Sequence, residues 1–307
     1  MDNNAPLRAH LSMFTAEAIW GLMAPIAKDA MNTGFDGILV VSFRVVGAAL
    51  LFWLGSLMGK REHIPVRDIL KLAGAALLGI VFNQCLFNIG LSITSPVNAS
   101  IVTTSMPIFA MVLSFFILRE PITWRKGLGV AIGCCGALIL ILSSASAGNA
   151  KVGDIRGDLM CLAAQFSFAL YLALFNPLIR KYNVFTVNKW MFTWATLFVL
   201  PFTGWHVSQL PWSSFSTATW LELGYIVVLG TFVCYLLSVV AQGVLRPTVV
   251  SVYNYVQPIV AVAVSVAVGL SVFTLPQAIA VILVFSGVWL VIKSKSKRDL
   301  ERVRSEE

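Results

Sequence analysis

Polar side chains that interrupt long apolar stretches are the residues of this sequence most able to do chemistry. Asn83, Gln84 and Asn88 fall within one such stretch, and Asn254 and Gln257 fall within another. An amide that is buried without a hydrogen-bond partner is costly, so these groups tend to face a protein interior or a wet cavity. Their donors and acceptors therefore predict a site that binds a small polar ligand.

Spacing sharpens this prediction, because residues four apart share a face of a helix. Gln84 and Asn88 form one such pair, and Tyr253 and Gln257 form another. Trp20 joins the candidates as an aromatic ring within one turn of a polar residue. Ordinary hydrogen bonding between helices is the alternative for each residue. The candidate substrate-binding set is Glu17, Trp20, Asn83, Gln84, Asn88, Thr103, Gln165, Tyr253, Asn254 and Gln257.

Two ionisable residues, Glu17 and Arg44, also lie deep within apolar stretches. An isolated charge there is expensive. One hypothesis is that the two side chains neutralise each other or other polar groups on adjacent helices. The other is that they take part in coupling, with Glu17 binding and releasing a proton to drive transport.

Three prolines, Pro25, Pro107 and Pro258, stand inside predicted helices. A proline removes one backbone N–H donor and bends a helix, which frees a carbonyl group one turn earlier. These positions are predicted hinges. A static kink that neighbouring side chains or water satisfy is the alternative.

The elements that must position these residues follow from composition. Charged residues make up 12% of the 307 residues and apolar residues 58%, whereas soluble domains are about 25% charged. The mean hydropathy is +0.84. Apolar runs long enough to cross a bilayer as helices, and too long for barrel strands, predict an all-α membrane protein with ten transmembrane helices at residues 9–27, 37–57, 69–91, 97–118, 127–142, 159–179, 187–205, 221–241, 249–270 and 275–292.

The basic residues predict how these helices are oriented. Eighteen of the 22 Lys and Arg residues fall on the side of the N-terminus if the spans alternate in direction. The positive-inside rule then places both termini in the cytoplasm. We expect a multi-pass protein of the cell inner (cytoplasmic) membrane.

A shift of 151 residues aligns the two halves of the chain without a gap. It superimposes Pro96 on Pro247 and Pro107 on Pro258. Because each half holds five spans, the second half must enter the membrane from the opposite side, as in inverted repeats of secondary transporters. A duplication without a transport role is the alternative. The predicted division is a first repeat at 1–145, a second at 154–296 and a charged cytoplasmic tail at 297–307.

The sequence also resembles a known family. The motifs that carry the resemblance are AIWG at Ala18–Gly21, SFR at Ser42–Arg44, and the stretch from Thr94 to Thr123 with SMPIF at Ser105–Phe109. They are similar to the EamA domain of the drug/metabolite transporter superfamily, present here as two tandem copies. The resemblance implies a ten-helix bundle with a central cavity lined mainly by spans 1, 3, 4, 6, 8 and 9, and export of amino acids or related metabolites.

The predicted function is that of a secondary transporter for a small polar metabolite. A lipid or lipid-linked-precursor flippase is the alternative, and a membrane-embedded transferase stays formally open. No GxxxxGK[ST] motif for an ATP-driven pump occurs, and His10, His63 and His206 lack metal-ligand spacing. We expect no enzyme activity, cofactor, metal or nucleic-acid partner. The expected partners are the solute and membrane lipids, with possible proton coupling, in a monomer or homodimer.

Overall fold

A computed structural model gives the fold of the protein. It describes residues 5–32, 35–57, 62–93, 99, 102–103, 105–119, 122–145, 155–208, 215–260 and 275–293. Over these ranges the only regular secondary structure is helix, as the composition predicts. The predicted tail at 297–307 lies outside the described residues.

Helices occur in each predicted span. Their bounds are α1 Ala5–Asn32, α2 Gly37–Leu57, α3 Val66–Ile93, α4 Met106–Leu118, α5 Trp124–Ala145, α6 Ile155–Ile179, α7 Val184–Ser208, α8 Thr217–Val244, α9 over 247–260 and α10 Leu275–Ile292. By length and composition, four stretches of the described chain are clear candidates to cross a membrane: α2, α3, Leu159–Ile179 of α6, and α8. The total of ten crossings stays a prediction.

Short polar side chains and prolines set the starts of several helices. The Oδ1 atom of Asp36 accepts a hydrogen bond from the Leu39 N–H at 2.7 Å, before the apolar run of α2. Asn183 and Ser216 do the same at the starts of α7 and α8, with distances of 2.8 and 3.2 Å. Such caps satisfy backbone donors that a helix start leaves unpaired.

The packing of the helices has the pattern expected of two halves related by a two-fold axis. The most extensive pairings are α5 with α10, α2 with α7, α3 with α6, and α1 with α8. In the repeat, α3 of the first half corresponds to α8 of the second, and α1 corresponds to α6. The two-fold axis therefore relates the α3–α6 pair to the α8–α1 pair. The axis passes near Gln84, whose Nε2 atom donates to the Tyr235 hydroxyl at 2.8 Å across a separation of 151 residues.

Glycines allow α5 and α10 to cross closely, as the glycine-rich sequence of the fifth span predicts. A Cβ atom on Gly129 would lie 2.7 Å from the Gly287 carbonyl oxygen, and one on Gly287 would lie 2.5 Å from the Gly129 carbonyl oxygen. A side chain at either position would collide with backbone. These two helices therefore form a closely packed pair. None of their described residues lines the cavity described below.

Irregular helical segments recur at equivalent positions of the two halves. π-Helices run over Leu77–Phe82 in α3 and Tyr225–Val233 in α8, and the 151-residue shift superimposes their last residues. A 3-10 turn at Tyr253–Tyr255 interrupts α9, and a turn at Ser105 precedes α4. π-Segments are frequent at functional sites, because their wider turns free backbone groups.

Candidate binding cavity

A cavity lies between the two halves at the level of the irregular segments. It holds about 620 Å³ of space between its lining atoms, including the part that opens at its mouth. Both halves contribute side chains to it, mostly amides and aromatic rings. The lining residues are Trp20, Met23, Arg44, Asn83, Gln84, Phe87, Thr103, Gln165, Phe168, Tyr235, Asn254 and Gln257.

Two amides of α3 reach the cavity with their orientation fixed by hydrogen bonds. Asn83 donates through Nδ2 to the Ala164 carbonyl oxygen of α6 at 3.0 Å, and Gln84 donates to the Tyr235 hydroxyl. The Tyr235 hydroxyl in turn donates to the Gly79 carbonyl oxygen at 3.2 Å, inside the first π-helix. Each contact engages one of the two N–H donors of its amide, and the amide oxygens are acceptors that suit a ligand.

Glu17 lies behind the cavity wall at the contact between α1 and α9. It is fully buried, and its Oε2 atom accepts a hydrogen bond from Nε2 of Gln257 at 2.6 Å. The other carboxyl oxygen, Oε1, has no hydrogen-bond partner among the described residues. One turn further along α1, a Cβ on Gly21 would lie 2.7 Å from the Gln257 carbonyl oxygen, so the two backbones are in direct contact. Glu17 is thus linked to the cavity lining through Gln257.

Arg44 lines the cavity although it is 1% exposed. Its Nε donates to the Thr231 Oγ1 atom at 2.9 Å, and Nη2 donates to the Gly230 carbonyl oxygen at 3.4 Å. The predicted pairing of Arg44 with Glu17 is not formed among the described residues, since each side chain has neutral partners instead. Glu17 bonds to Gln257 of α9, and Arg44 bonds to Thr231 and Gly230 of α8. Both side chains thus have neutral polar partners on other helices, which is the second form of the first hypothesis.

Trp20 borders the cavity on the α1 side. Its indole Nε1 donates to the Gly230 carbonyl oxygen at 2.8 Å, and its ring meets Tyr235 edge to face with centroids 5.8 Å apart. Because Arg44 also donates to the Gly230 carbonyl, this single backbone group of the second π-helix holds two cavity side chains in place.

Besides Glu17, two predicted ligand-binding residues do not line the cavity. Asn88 is buried and donates through Nδ2 to the carbonyl oxygen of Gln84, one turn earlier in α3. The Tyr253 hydroxyl is 2.8 Å from Nδ1 of His10, so this ring links α9 to α1. Both side chains were predicted from their place on a helix face, which does not specify whether that face meets a ligand or another helix.

The prolines occupy different positions within their helices. Pro107 lies in the first turn of α4, which begins at Met106 after a turn at Ser105. A proline in a first turn removes no helical hydrogen bond. Residue 104, between this turn and the helical residues 102–103, lies outside the described residues. Pro258 follows the 3-10 turn of α9, and Pro25 stands within α1. The hinge role of the three residues stays a prediction.

Met23, Phe87, Phe168 and Tyr235 line the cavity but were not among the chosen candidates. The three aromatic residues are recognisable from their position beside polar residues in the sequence. Tyr235 carries a further signal, because it aligns with Gln84 under the 151-residue shift. Met23 has no such signal, since an apolar side chain in an apolar span does not stand out.

A helical membrane protein with a polar cavity between two symmetrically packed halves has the architecture of a transporter. Comparison with known proteins gives the family. A model of the EamA-like transporter family matches residues 7–142 and 155–293, in two tandem segments. The chain therefore belongs to the EamA-like transporter family, within the drug/metabolite transporter superfamily, and is a multi-pass membrane transporter of small molecules.

Individual relatives agree with this assignment. The chain is 22% identical over 258 residues to the uncharacterised transporter YetK of Bacillus subtilis (strain 168), covering 84% of this chain and 78% of that one. It is 26% identical over 199 residues to a probable terminal-alkyne amino-acid exporter of Streptantibioticus cattleyicolor, covering 62% and 65%. A solved crystal structure superimposes with a TM-score of 0.72 at 19% identity, over 93% of this chain and 98% of that one, and shares the fold.

Proposed function

We propose that the protein is a secondary transporter that exports a small polar metabolite, an amino acid or a related compound, across the cytoplasmic membrane by alternating access. The observation that carries the proposal is a single cavity lined by α1, α2, α3 and residue 103 from the first half and by α6, α8 and α9 from the second. If the halves rock about their common axis, such a cavity opens to each side in turn.

The chemistry of the lining supports a polar solute. Five amide side chains and two hydroxyl-bearing side chains, Thr103 and Tyr235, line the cavity, among aromatic rings that can enclose an apolar part of the ligand. The relative from Streptantibioticus cattleyicolor is named a probable amino-acid exporter. The cytoplasmic position of both termini rests on the distribution of Lys and Arg along the sequence. Outward transport rests on the family resemblance and on the name of this relative.

Proton coupling through Glu17 is part of the proposal. The carboxyl group of Glu17 bonds to Gln257, which lines the cavity. Binding or release of a proton by Glu17 changes the acceptor that Gln257 meets, and so changes the wall of the binding cavity. Occupancy of the cavity and protonation of Glu17 are linked through this one hydrogen bond.

The test is transport in liposomes that contain the full-length protein, with and without a pH gradient. Glu17→Gln keeps the size of the side chain but cannot exchange a proton. We expect the variant to lose gradient-driven accumulation of radiolabelled amino acids and to retain exchange of the same amino acids at equal pH. Glu62→Gln, at an exposed carboxylate that accepts from the Asn183 N–H, is the matched control. Unchanged gradient dependence in Glu17→Gln refutes the coupling.

The flippase alternative is distinguished by its ligands. A transporter of soluble solutes is stabilised by amino acids in detergent, because a ligand that binds only the folded state raises its free energy of unfolding. A flippase is stabilised by phospholipids instead. Movement of fluorescent phospholipid between leaflets, with no accumulation of any soluble solute, would contradict the transport proposal.

A further inference from the structure

Arg44 is a buried cation without an anionic partner among the described residues. Its side chain is 1% exposed, and the two groups that it contacts, the Thr231 hydroxyl and the Gly230 carbonyl, are neutral. A guanidinium group carries five N–H donors in a planar fork. Burial of such a charge without a counter-charge is costly, so its position on the cavity wall calls for an explanation.

The guanidinium is held in a defined orientation. The Thr231 hydroxyl that accepts from Nε also donates to the Ile226 carbonyl oxygen at 2.7 Å, which fixes the acceptor in place. Both contacts of Arg44 lie on the π-helix of α8. A charge that is oriented before a ligand arrives loses little conformational freedom on binding.

The remainder of the described cavity wall carries no charge that could neutralise Arg44. None of the other lining side chains is acidic or basic. Glu17 of α1 does not line the cavity, and its carboxyl group is bonded to Gln257, which does. The electrostatic character of the cavity is therefore positive, and a ligand that supplies a negative charge is the natural complement.

We propose that Arg44 is the anion anchor of the cavity and that the transported solute is a small molecule whose carboxylate pairs with this guanidinium. Arginine and carboxylate groups match in a bidentate geometry. The inference rests on the proposed transport function and narrows it, because it requires the acid group of the solute. Polyamines, quaternary ammonium compounds and neutral sugars are excluded as main substrates.

Other lining residues fit the rest of an amino acid. Asn83 and Gln84 each donate one amide N–H to a protein acceptor, and their side-chain oxygens are acceptors that suit an ammonium group. The rings of Trp20 and Phe168 also line the cavity and provide faces for a cation or an apolar chain. A zwitterion with its carboxylate on Arg44 meets a complementary group at each end.

The experiment measures the unfolding temperature of the purified full-length protein with sets of compounds that differ only in the acid group. The probes are serine, leucine and phenylalanine, together with their amides and the amines that lack the carboxyl group. We expect at least one amino acid to stabilise the protein. Its amide and its amine should each bind at least about 30-fold more weakly than the amino acid, as expected when one partner of a buried charge pair is removed.

Three variants assign the effect to Arg44. Arg44→Gln should remove the preference for the carboxylate, and Arg44→Lys should keep a weakened preference because the charge remains but the planar fork is lost. Thr231→Val retains the guanidinium and removes one of its acceptors, so the preference should persist at lower affinity. Arg67→Gln, at an exposed arginine at the start of α3, is the matched control and should bind as the wild type does.

The outcomes separate this inference from the transport proposal. Equal binding of acid, amide and amine by the wild type overturns the inference, as does a lack of stabilisation by all three amino acids. An unchanged carboxylate preference in Arg44→Gln also overturns it. If Arg44→Gln fails to fold, Arg44→Lys and the wild-type series still decide the question. Carboxylate binding without vectorial transport in liposomes overturns the transport proposal alone, and transport of amines without carboxylate preference overturns the inference alone.

Discussion

Substitution of Gly21 by alanine tests the close contact between α1 and α9. The added Cβ would lie 2.7 Å from the carbonyl oxygen and 3.0 Å from the Cα atom of Gln257. Both are backbone atoms, so no side chain can rotate away to relieve the collision. Ordinary contacts of a Cβ begin near 3.4 Å, and the two helices must therefore separate by about 0.7 Å at this point.

The expected cost follows from this separation. Overpacking of a well-packed interior typically costs about 1–3 kcal/mol. Alanine also gains about 0.5–1 kcal/mol over glycine inside a helix, so the effect must be read against a glycine with free space around it. Gly224 of α8 meets no atom within 4 Å of the equivalent Cβ. The difference in free energy of unfolding between Gly21→Ala and Gly224→Ala should be about 1–3 kcal/mol, with Gly21→Ala the less stable.

Thermal unfolding of both variants in detergent, followed by size-exclusion chromatography, measures this difference. About 2–4 °C per kcal/mol is expected for a chain of this size class. Because Gln257 also holds Glu17 through a 2.6 Å hydrogen bond, Gly21→Ala should impair gradient-driven transport as well. Equal unfolding temperatures for the two variants would refute the reasoning, since they would show that α1 and α9 do not meet at Gly21.

Three further predictions concern contacts outside the α1–α9 interface. Tyr235→Phe removes the hydroxyl that accepts from Gln84 and donates to the Gly79 carbonyl oxygen. The free energy of unfolding should fall by about 1–2 kcal/mol in a denaturation assay. An unchanged value would show that Gln84 and Tyr235 are not hydrogen-bonded. Arg180 donates to the carbonyl oxygen of Leu245, directly after the end of α8, at 2.7 Å. Arg180→Met should therefore destabilise this helix end, and Arg180→Lys should restore part of the stability. The variant Arg180→Met should show faster hydrogen exchange at 241–245, and exchange equal to that of the wild type would contradict this capping role. Hydrogen bonds to Asp68 and Tyr182 raise the pKa of Lys181 above its ordinary value of 10.5. The contribution of Lys181 to stability is therefore complete below pH 10.5 and is lost as the pH rises through the raised pKa. Between pH 7 and 11 the unfolding temperature of the wild type should fall more steeply than that of Lys181→Gln, and parallel curves would contradict this prediction.

Much of the fold follows from the sequence because the bilayer sets the length of an apolar helix. The bounds predicted for α2 and α10 coincide with Gly37–Leu57 and Leu275–Ile292. Helices α1, α3 and α5 to α8 extend a few residues beyond one or both ends of the predicted spans, since capping residues such as Asn183 lie outside the apolar run. Helix α4 begins at Met106, inside the predicted span 97–118. The π-helices could not be predicted, because they depend on which backbone carbonyls meet partners on other helices.

The sequence predicted which types of residue line the candidate site, but not in which direction each side chain points. Gln84 and Asn254 line the cavity because a polar group in an apolar span needs a partner or water. Asn88 shares that chemistry but bonds to its own helix, and the sequence does not distinguish the two outcomes. The position of Pro107 in the first turn of α4 could not be predicted, because a proline indicates an interruption without specifying on which side of it the helix resumes.

The two halves have the same order of helices, but the buried ionisable residues of the first half have no counterparts in the second. Under the 151-residue shift Glu17 corresponds to Phe168, and Arg44 corresponds to Ala195. Under the proposed alternating access, the inward-open and outward-open forms are therefore not related by symmetry and differ in free energy. An empty protein in a symmetric membrane would then favour one of the two forms, a bias that the amino-acid sequence itself imposes.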